Sequence, residues 1–486
     1  MSDYSVPESI RAFKPTGSIV KKIKGYYYVY SHSQKKDEKT GKWKTQPGKL
    51  LGKIIPGIGF IPKENKVTNV DKITCFNYGE YFLVCNIANS EFDLLKTIFN
   101  IDEAMRIFFM ASYYALNGFV GIKTLTYEFN RSLLARDYPN LKFSYHLISQ
   151  LLEAIGRTNK QVEYQKEAMN KSSDTLAFDG HSIPTFSEDN DLASTGFKTA
   201  KNNCTYMNLM VALDVKNYQP VGTRVFPGYM LDKSDFITFC DSLGDISNKI
   251  ILIDMGFYSE ENLTHIEDKK GYYVIPLSSN LNEYKEIKSD STNKLSQFLY
   301  HKNKKIDTVE YKEKIINNKK VIYYKNITEA EKLSTLYLTN LESKKEGYTE
   351  EKYQEQKDDF GVIILKSNLD KTPKELYELY KSRWSIETYY DRLKNGIHFE
   401  ALNLDDYSTI QGLCFVLMIA SRIDAKISQA ANKVKLTRKE LIQLMSYLKL
   451  VEEGENTIKI HNMKKQHQTI FEALNINLDV AKKCLG

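Results

Sequence analysis

Lys249-Ile250-Ile251-Leu252-Ile253-Asp254-Met255-Gly256 reads as a buried strand that ends on an aspartate. An unbroken aliphatic run bounded by polar residues and glycine is the pattern of a strand covered on both faces, as in a parallel sheet. Working outward, Thr175 to Phe178 is a short apolar strand that ends at Asp179-Gly180, Cys204 to Leu213 is a second strand, and Pro220 to Phe226 a third. Asp232 to Leu243 has helical spacing, another helix starts at Ser259, and Gly271 to Pro276 is again a strand. The order β-β-β-α-β-α-β predicts an α/β layer structure over residues 173–277.

Residues 278–359 turn Lys/Glu-rich with β-like pieces such as Lys320 to Lys325, and read as a β-rich insertion with its own small sheet. Phe360 to Lys366 then returns to a buried strand and opens a second part of the core over 360–400. Residues 1–70 form a basic, β-rich N-terminal region, with Tyr26 to Tyr30 as a strand, Asp37 to Gly41 as a turn and Lys49 to Pro56 as the return strand. Helical periodicity dominates 71–172, as in Met105 to Ala115, and residues 401–486 read as a helical C-terminal region whose Leu413 to Ile419 stretch is core.

The chain has 486 residues, 27% charged and 42% hydrophobic, which allows several domains and ordinary globular cores. No apolar run of membrane-spanning length occurs, and Met1 to Pro7 lacks a signal peptide's cationic and apolar regions. Cys75, Cys85, Cys204, Cys240, Cys414 and Cys484 are dispersed, so reduced thiols in a cytoplasmic protein are expected and a zinc site is not. The net charge of +7 is concentrated: residues 1–70 carry 14 Lys/Arg against 5 Asp/Glu, a surplus suited to phosphate contact and also to plain solubility.

A second informative stretch is Tyr380-Lys381-Ser382-Arg383-Trp384-Ser385-Ile386-Glu387, continuing to Lys394. Thr372-Pro373-Lys374-Glu375 supplies a capping box with Pro at the first helical position, so one helix is expected from there to about Asn395, stopped by Gly396. At about 100° per residue, Tyr380, Arg383, Glu387 and Lys394 share an arc of about 60°. One carboxylate among a phenol and two cations suits a metal ion and a phosphate. Taken singly, each charge also reads as part of a solvated helix face, and Asp179-Gly180 as an ordinary turn.

The strand and helix order fits a ribonuclease-H-like core, in which the first and fourth strands are neighbours. Asp179, Asp254 and Glu387 would then converge and hold two Mg2+ ions, with Mn2+ as the alternative, for phosphodiester chemistry. His181 is a weaker candidate as a proton shuttle, and Trp384 reads as core.

These residues resemble the DDE transposases of bacterial insertion sequences, in the large IS-four superfamily with the Y-(2)-R-(3)-E-(6)-K signature. Tyr380, Arg383, Glu387 and Lys394 match its spacing without a gap; Ala177-Phe178-Asp179-Gly180 resembles its first aspartate motif, and Ile253-Asp254-Met255-Gly256-Phe257-Tyr258-Ser259 its second, with Met255 where arginine is common. The resemblance implies a core interrupted by a β-rich insertion, and metal-dependent cleavage at insertion-sequence ends. Cut-and-paste strand transfer of the 3'-hydroxyl into target DNA would follow. It implies metal binding by Asp179, Asp254 and Glu387, DNA-phosphate contact by Tyr380, Arg383 and Lys394, and end recognition by the region 71–172. It also implies a homodimer on double-stranded DNA carrying terminal inverted repeats, and a flipped base stacked on an insertion aromatic, for which Tyr300, Tyr323 and Tyr324 are candidates. The alternatives are a transposase-derived DNA-binding protein that no longer cuts and an unrelated metal-dependent phosphohydrolase.

Overall fold

The computed structural model describes residues 6–36, 41, 43–63, 73–185, 187, 190, 192–194, 205–228, 232–291, 294–302, 305–399, 404–453, 457–478, 483 and 485. The expected turn residues Asp37 to Thr40, together with Cys204 and Cys484, lie outside them. The chain divides into two compact units, residues 1–74 with 452–457, and the remainder. In the first unit, β1 (Ser18–Ile23), β2 (Tyr26–Lys36), β3 (Trp43–Ile55) and β4 (Gly59–Pro62) form an antiparallel sheet in chain order. Val6, Ile10, Val20, Val29 and Ile54 make its small core.

After the short strand β5 (Ile73–Asn77), the larger unit is organised by β6 (Thr175–Thr185), β7 (Thr205–Asp214), β8 (Gln219–Pro227), β9 (Ile250–Leu252), β10 (Tyr272–Pro276), β11 (Ser296–Lys302), β12 (Lys305–Ile316), β13 (Lys319–Asn326) and β14 (Val362–Ser367). They form one nine-stranded sheet in the order β11-β12-β13-β14-β10-β9-β6-β7-β8. β9 runs parallel to both β6 and β10, while β7 and β14 run antiparallel to their neighbours. The first and fourth strands of the predicted run, β6 and β9, are adjacent as expected.

Two expectations change here. The three insertion strands do not build a sheet of their own. They continue the main sheet because β14 pairs with β10 on one edge and β13 on the other, which leaves no exposed edge at β14. Nor does the first strand stop at Asp179-Gly180. β6 runs on to Thr185, because its ladder with β7 continues through Gly180↔Met210 to Thr185↔Thr205 and overrides the local turn preference of Asp-Gly.

Helices cover both faces of the sheet. Leu176, Phe178, Ile251 and Ile253 pack with Phe236, Phe239 and Leu263 from the Asp232–Leu243 and Glu260–Asp268 helices. The alternate residues Ala177 and Leu252 share the opposite core with Ile386, Tyr389 and the Tyr407–Lys433 helix. Leu413 to Ile419 is buried throughout, as expected. The Tyr145–Arg157 and Tyr407–Lys433 helices cross closely at glycines: a Cβ on Gly156 would lie 1.9 Å from the Ser408 carbonyl oxygen, and one on Gly412 2.0 Å from that of Leu152. The C-terminal region also carries two short strands, Lys449–Glu453 and Thr457–His461, that helical periodicity did not predict.

A buried ion pair ties this layer together. Arg422 donates to Glu91 through Nε at 2.7 Å and Nη2 at 3.1 Å, and through Nη1 to the Pro220 carbonyl at 2.9 Å. Tyr164 donates to the same carboxylate at 2.6 Å. Burial raises the Glu91 pKa, but Arg422, Lys426 and Tyr164 outweigh it and hold the carboxyl down at about 2. Arg422→Met therefore leaves a buried charge without its main partner and is expected to cost about 3–5 kcal/mol in denaturant unfolding at pH 7. Because the folded carboxyl titrates below its ordinary 4.5, the pair's contribution is complete above that value. The gap between wild type and variant should narrow as pH falls from about 4.5 towards about 2. Glu91→Leu combined with Arg422→Met should recover more than half of the loss.

Candidate active site

The last paired residues of the β6–β9 ladder are Ala177 and Leu252. Asp179 and Asp254 each lie two residues further on, so the register sets them level and, at a side-chain period of two, on the face of Ala177 and Leu252. Asp254 lies just past its strand, at the N-cap of a 3-10 turn over Met255–Phe257, where its Oδ1 accepts from the Met255 amide at 2.7 Å. The position that departs from the commoner motif thus contributes its backbone here, and the Met255 side chain is exposed. Asp179 Oδ1 accepts from the Gly180 amide at 2.9 Å.

Glu387 arrives from the helical segment after β14, on the same side of the sheet as Ile386 and Tyr389. Thr372 and Glu375 form the expected capping box, with Pro373 at the start. The helix is not continuous, however. Pro373–Ser382 ends at Arg383, where i→i+3 bonds replace the α-helical pattern (Arg383 N to Tyr380 O and Ile386 N to Arg383 O, both 3.0 Å), and Trp384–Asp391 follows. Arg392–Gly396 is then a π turn, closed by Ile397 N to Arg392 O at 2.9 Å. Gly396 is not the left-handed stop; that conformation falls to His398, at φ 57°. A π turn takes more residues per turn, so Lys394 does not keep the 3.6-residue phase of the other three. It is exposed and lines a cleft of about 180 Å³ with His181, Ser182, Pro184, Tyr390 and Phe399.

Arg383 is the centre of the site. Its Nη2 donates to Glu387 Oε1 at 2.9 Å, its Nη1 lies 3.9 Å from Asp179 Oδ2, and its side chain is only 11% exposed. Burial opposes its charge, but Tyr380, Asp254, Asp179 and Glu387 together raise its pKa, so the guanidinium stays cationic. Nη1 is buried and has no hydrogen-bond partner. The Tyr380 hydroxyl is pushed up to about 12, by burial first and by the Asp254 and Glu387 charges, against the lowering effect of Arg383. At neutral pH it is an un-ionised donor. The structure thus brings Asp179, Asp254, Glu387, Tyr380 and Arg383 together and sets Lys394 at the neighbouring cleft. Among the described residues, no group of three or more His, Cys, Asp or Glu is close enough to enclose a metal ion. Here the carboxylates are balanced by Arg383.

The weaker candidates separate cleanly. Trp384 is 63% exposed, not core, with Lys302 Nζ 5.8 Å from its ring. The Trp384–Asp391 helix buries Ser385, Ile386, Tyr389 and Tyr390, leaving the indole outside. Tyr324 is fully buried and donates to the Pro373 carbonyl, Tyr300 packs edge-on against Tyr377, and Tyr323 is partly buried. His181 stacks on Tyr390, ring centroids 4.8 Å apart. Tyr390 is the residue that sequence reasoning passed over. Its one signal is its place three residues after Glu387.

Residues 170–423 match the family model of the transposase DDE domain. The chain belongs to the DDE transposase family. No curated protein matches the transposase. Among solved structures, a piggyBac transposase in a synaptic complex with hairpin DNA aligns over 79% of this chain and 78% of that one, at 12% identity and a TM-score of 0.40. No helix among the described residues of the transposase is long and apolar enough to cross a membrane.

Arg383→Gln removes the only cation bonded to Glu387 among the described residues, and with it the positive charge that Asp179 and Asp254 also act on. The expected cost at pH 7 is about 1–3 kcal/mol, towards the low end because Glu387 is partly exposed. Arg383→Lys keeps a positive charge at this position, so its deficit in thermal unfolding should be smaller than that of Arg383→Gln. An equal deficit in both variants would mean that the arginine acts through packing and not through its charge.

Proposed function

We propose that this transposase is an insertion-sequence enzyme of the IS-four superfamily. On this reading it cuts DNA at terminal inverted repeats and joins the freed 3'-hydroxyl to target DNA by a cut-and-paste route. The observation that carries the reading is the gathering of Asp179, Asp254 and Glu387 around one guanidinium, beside the adjacent parallel strands β6 and β9. The strand order β8-β7-β6-β9-β10, with the first and fourth strands side by side, supports a ribonuclease-H-like core.

The chemistry of the donor set, rather than its spacing in this structure, suits a hard divalent cation. All three candidate ligands are carboxylate oxygens, and three carboxylates against one guanidinium leave two formal negative charges to balance. Asp179, Asp254 and Glu387 would hold two Mg2+ or Mn2+ ions, which supply Lewis acidity to activate a water or 3'-hydroxyl and to stabilise the leaving oxygen. The chain's own groups do the orienting. The Gly180 and Met255 amides fix one oxygen each of the two aspartates, and Arg383 fixes Glu387. Tyr380 is a neutral phenol able to donate to a phosphate oxygen, Arg383 Nη1 is a donor in want of an acceptor, and Lys394 is an exposed point charge.

The remaining regions take roles around this centre. The basic segment 1–70 and the helical region 71–172 recognise DNA ends, the insertion 278–359 clamps the substrate between the two parts of the core (173–277 and 360–400), and 401–486 assists assembly. Two ends must be held at once, so a homodimer on DNA is part of the proposal.

The test is cleavage of a labelled duplex carrying the DNA that borders the gene, in Mg2+. Wild type should nick it, and Glu387→Ala and Asp254→Ala should be slower by about 10^4-fold or more while still binding it. Binding in all should weaken steeply with salt. Binding without cleavage by wild type would leave a DNA-binding protein, and undiminished cleavage by Glu387→Ala would remove that residue from the site.

A further inference from the structure

Tyr390 is buried on the same helix as Glu387, three residues further on. Its hydroxyl donates to the main-chain oxygen of Asp179 at 2.9 Å and lies 3.4 Å from that of Leu209 on β7. Its ring stacks on His181 of β6 and meets Tyr389 edge-on. This one side chain therefore joins the Glu387 helix to the backbone on which the Asp179 carboxylate stands. The place matters because β6 has left β9 by this point. Beyond Ala177↔Leu252 its ladder continues with β7 alone, through Asp179↔Val211 and His181↔Leu209. Arg383 bridges the two elements through carboxylates that a bound cation would reorganise; Tyr390 bridges them through a backbone carbonyl that no ligand needs.

We infer that Tyr390 is a positioning residue: its hydroxyl fixes the distance between Asp179 and Glu387 and so sets the affinity of the site for divalent cations. The inference rests on the reading of these carboxylates as the metal site. Residues that orient metal ligands from behind are typically worth about 10–100-fold in metal affinity. Tyr390→Phe removes one oxygen and keeps the ring stack. The matched control is Tyr389→Phe, because Tyr389 is also buried on this helix and its hydroxyl makes no bond to β6 among the described residues.

The measurement is Mn2+ binding to the full chain on an uncleaved DNA end, read by electron paramagnetic resonance of free Mn2+, beside the Mg2+ concentration for half-maximal cleavage. With thermal midpoint and DNA binding unchanged, Tyr390→Phe should bind Mn2+ about tenfold more weakly or worse. Its Mg2+ requirement should rise in step, and Tyr389→Phe should behave as wild type. A chain carrying 3-fluorotyrosine at position 390, which keeps the hydroxyl, should retain wild-type Mn2+ binding. Wild-type Mn2+ binding by Tyr390→Phe overturns the inference whatever its maximal rate, as does equal weakening by both phenylalanine variants. Equal Mn2+ binding by wild type and Glu387→Ala overturns the inference together with the site reading beneath it, an outcome distinct from a failure at Tyr390 alone.

Discussion

The short parallel ladder between β6 and β9 is the constraint on which the site depends. Three residue pairs, ending at Ala177↔Leu252, fix the register of two strands separated by more than 60 residues of chain. That register decides both how far along its strand each aspartate lies and which face it occupies. Leu176, Phe178, Ile251 and Ile253 must enter one core, and Ala177 and Leu252 the other. A slip of one residue would send every one of these side chains to the wrong layer. The apolar residues of the ladder therefore select the placement of the two carboxylates without touching any substrate.

Charge imposes the second constraint. Three carboxylates near a partly buried point repel one another, and Arg383 offsets that repulsion at the position where the helix tightens. A guanidinium suits the task because it can bond Glu387 and face Asp179 at the same time, which a lysine's single ammonium could not do in one geometry. The unsatisfied Nη1 shows that the arrangement is not saturated by the protein's own groups. A buried donor without an acceptor is costly, so an acceptor brought to Nη1 would recover a hydrogen bond there.

Much of this was legible in the residues, for identifiable reasons. Aliphatic runs announced β9 and β10, and Thr372-Pro373-Lys374-Glu375 announced its helix start, because those signals are local. Asp179-Gly180 misled as a strand end because its conformation is set by pairing with β7, some 30 residues away. The insertion's strands were legible as strands, but their joining the main sheet depends on β14 having two open edges, which no local pattern reports. The break at Arg383 and the π turn at Arg392–Gly396 lie in a stretch whose composition is ordinary helix. Trp384 was misplaced for the same reason, since its exposure depends on which side of the helix meets the sheet. Tyr390 was invisible because its partner is a backbone carbonyl.

The break at Arg383 also divides the work of holding the helical segment. Its first half is gripped from the insertion. Lys320 on β13 bonds Asp370 at 2.8 Å and the Lys371 carbonyl at 2.9 Å, Tyr324 bonds the Pro373 carbonyl at 2.7 Å, and Asn326 reaches the Tyr377 hydroxyl at 3.2 Å. Its second half is gripped from β6 by Tyr390. Arg383 lies between the two grips and Glu387 one turn beyond it. Because β13 is itself continuous with the core sheet through β14, both grips refer to the same rigid layer. Glu387 is thus located by two independent sets of bonds on either side of a local irregularity, a stricter specification than an uninterrupted helix anchored at one end would give.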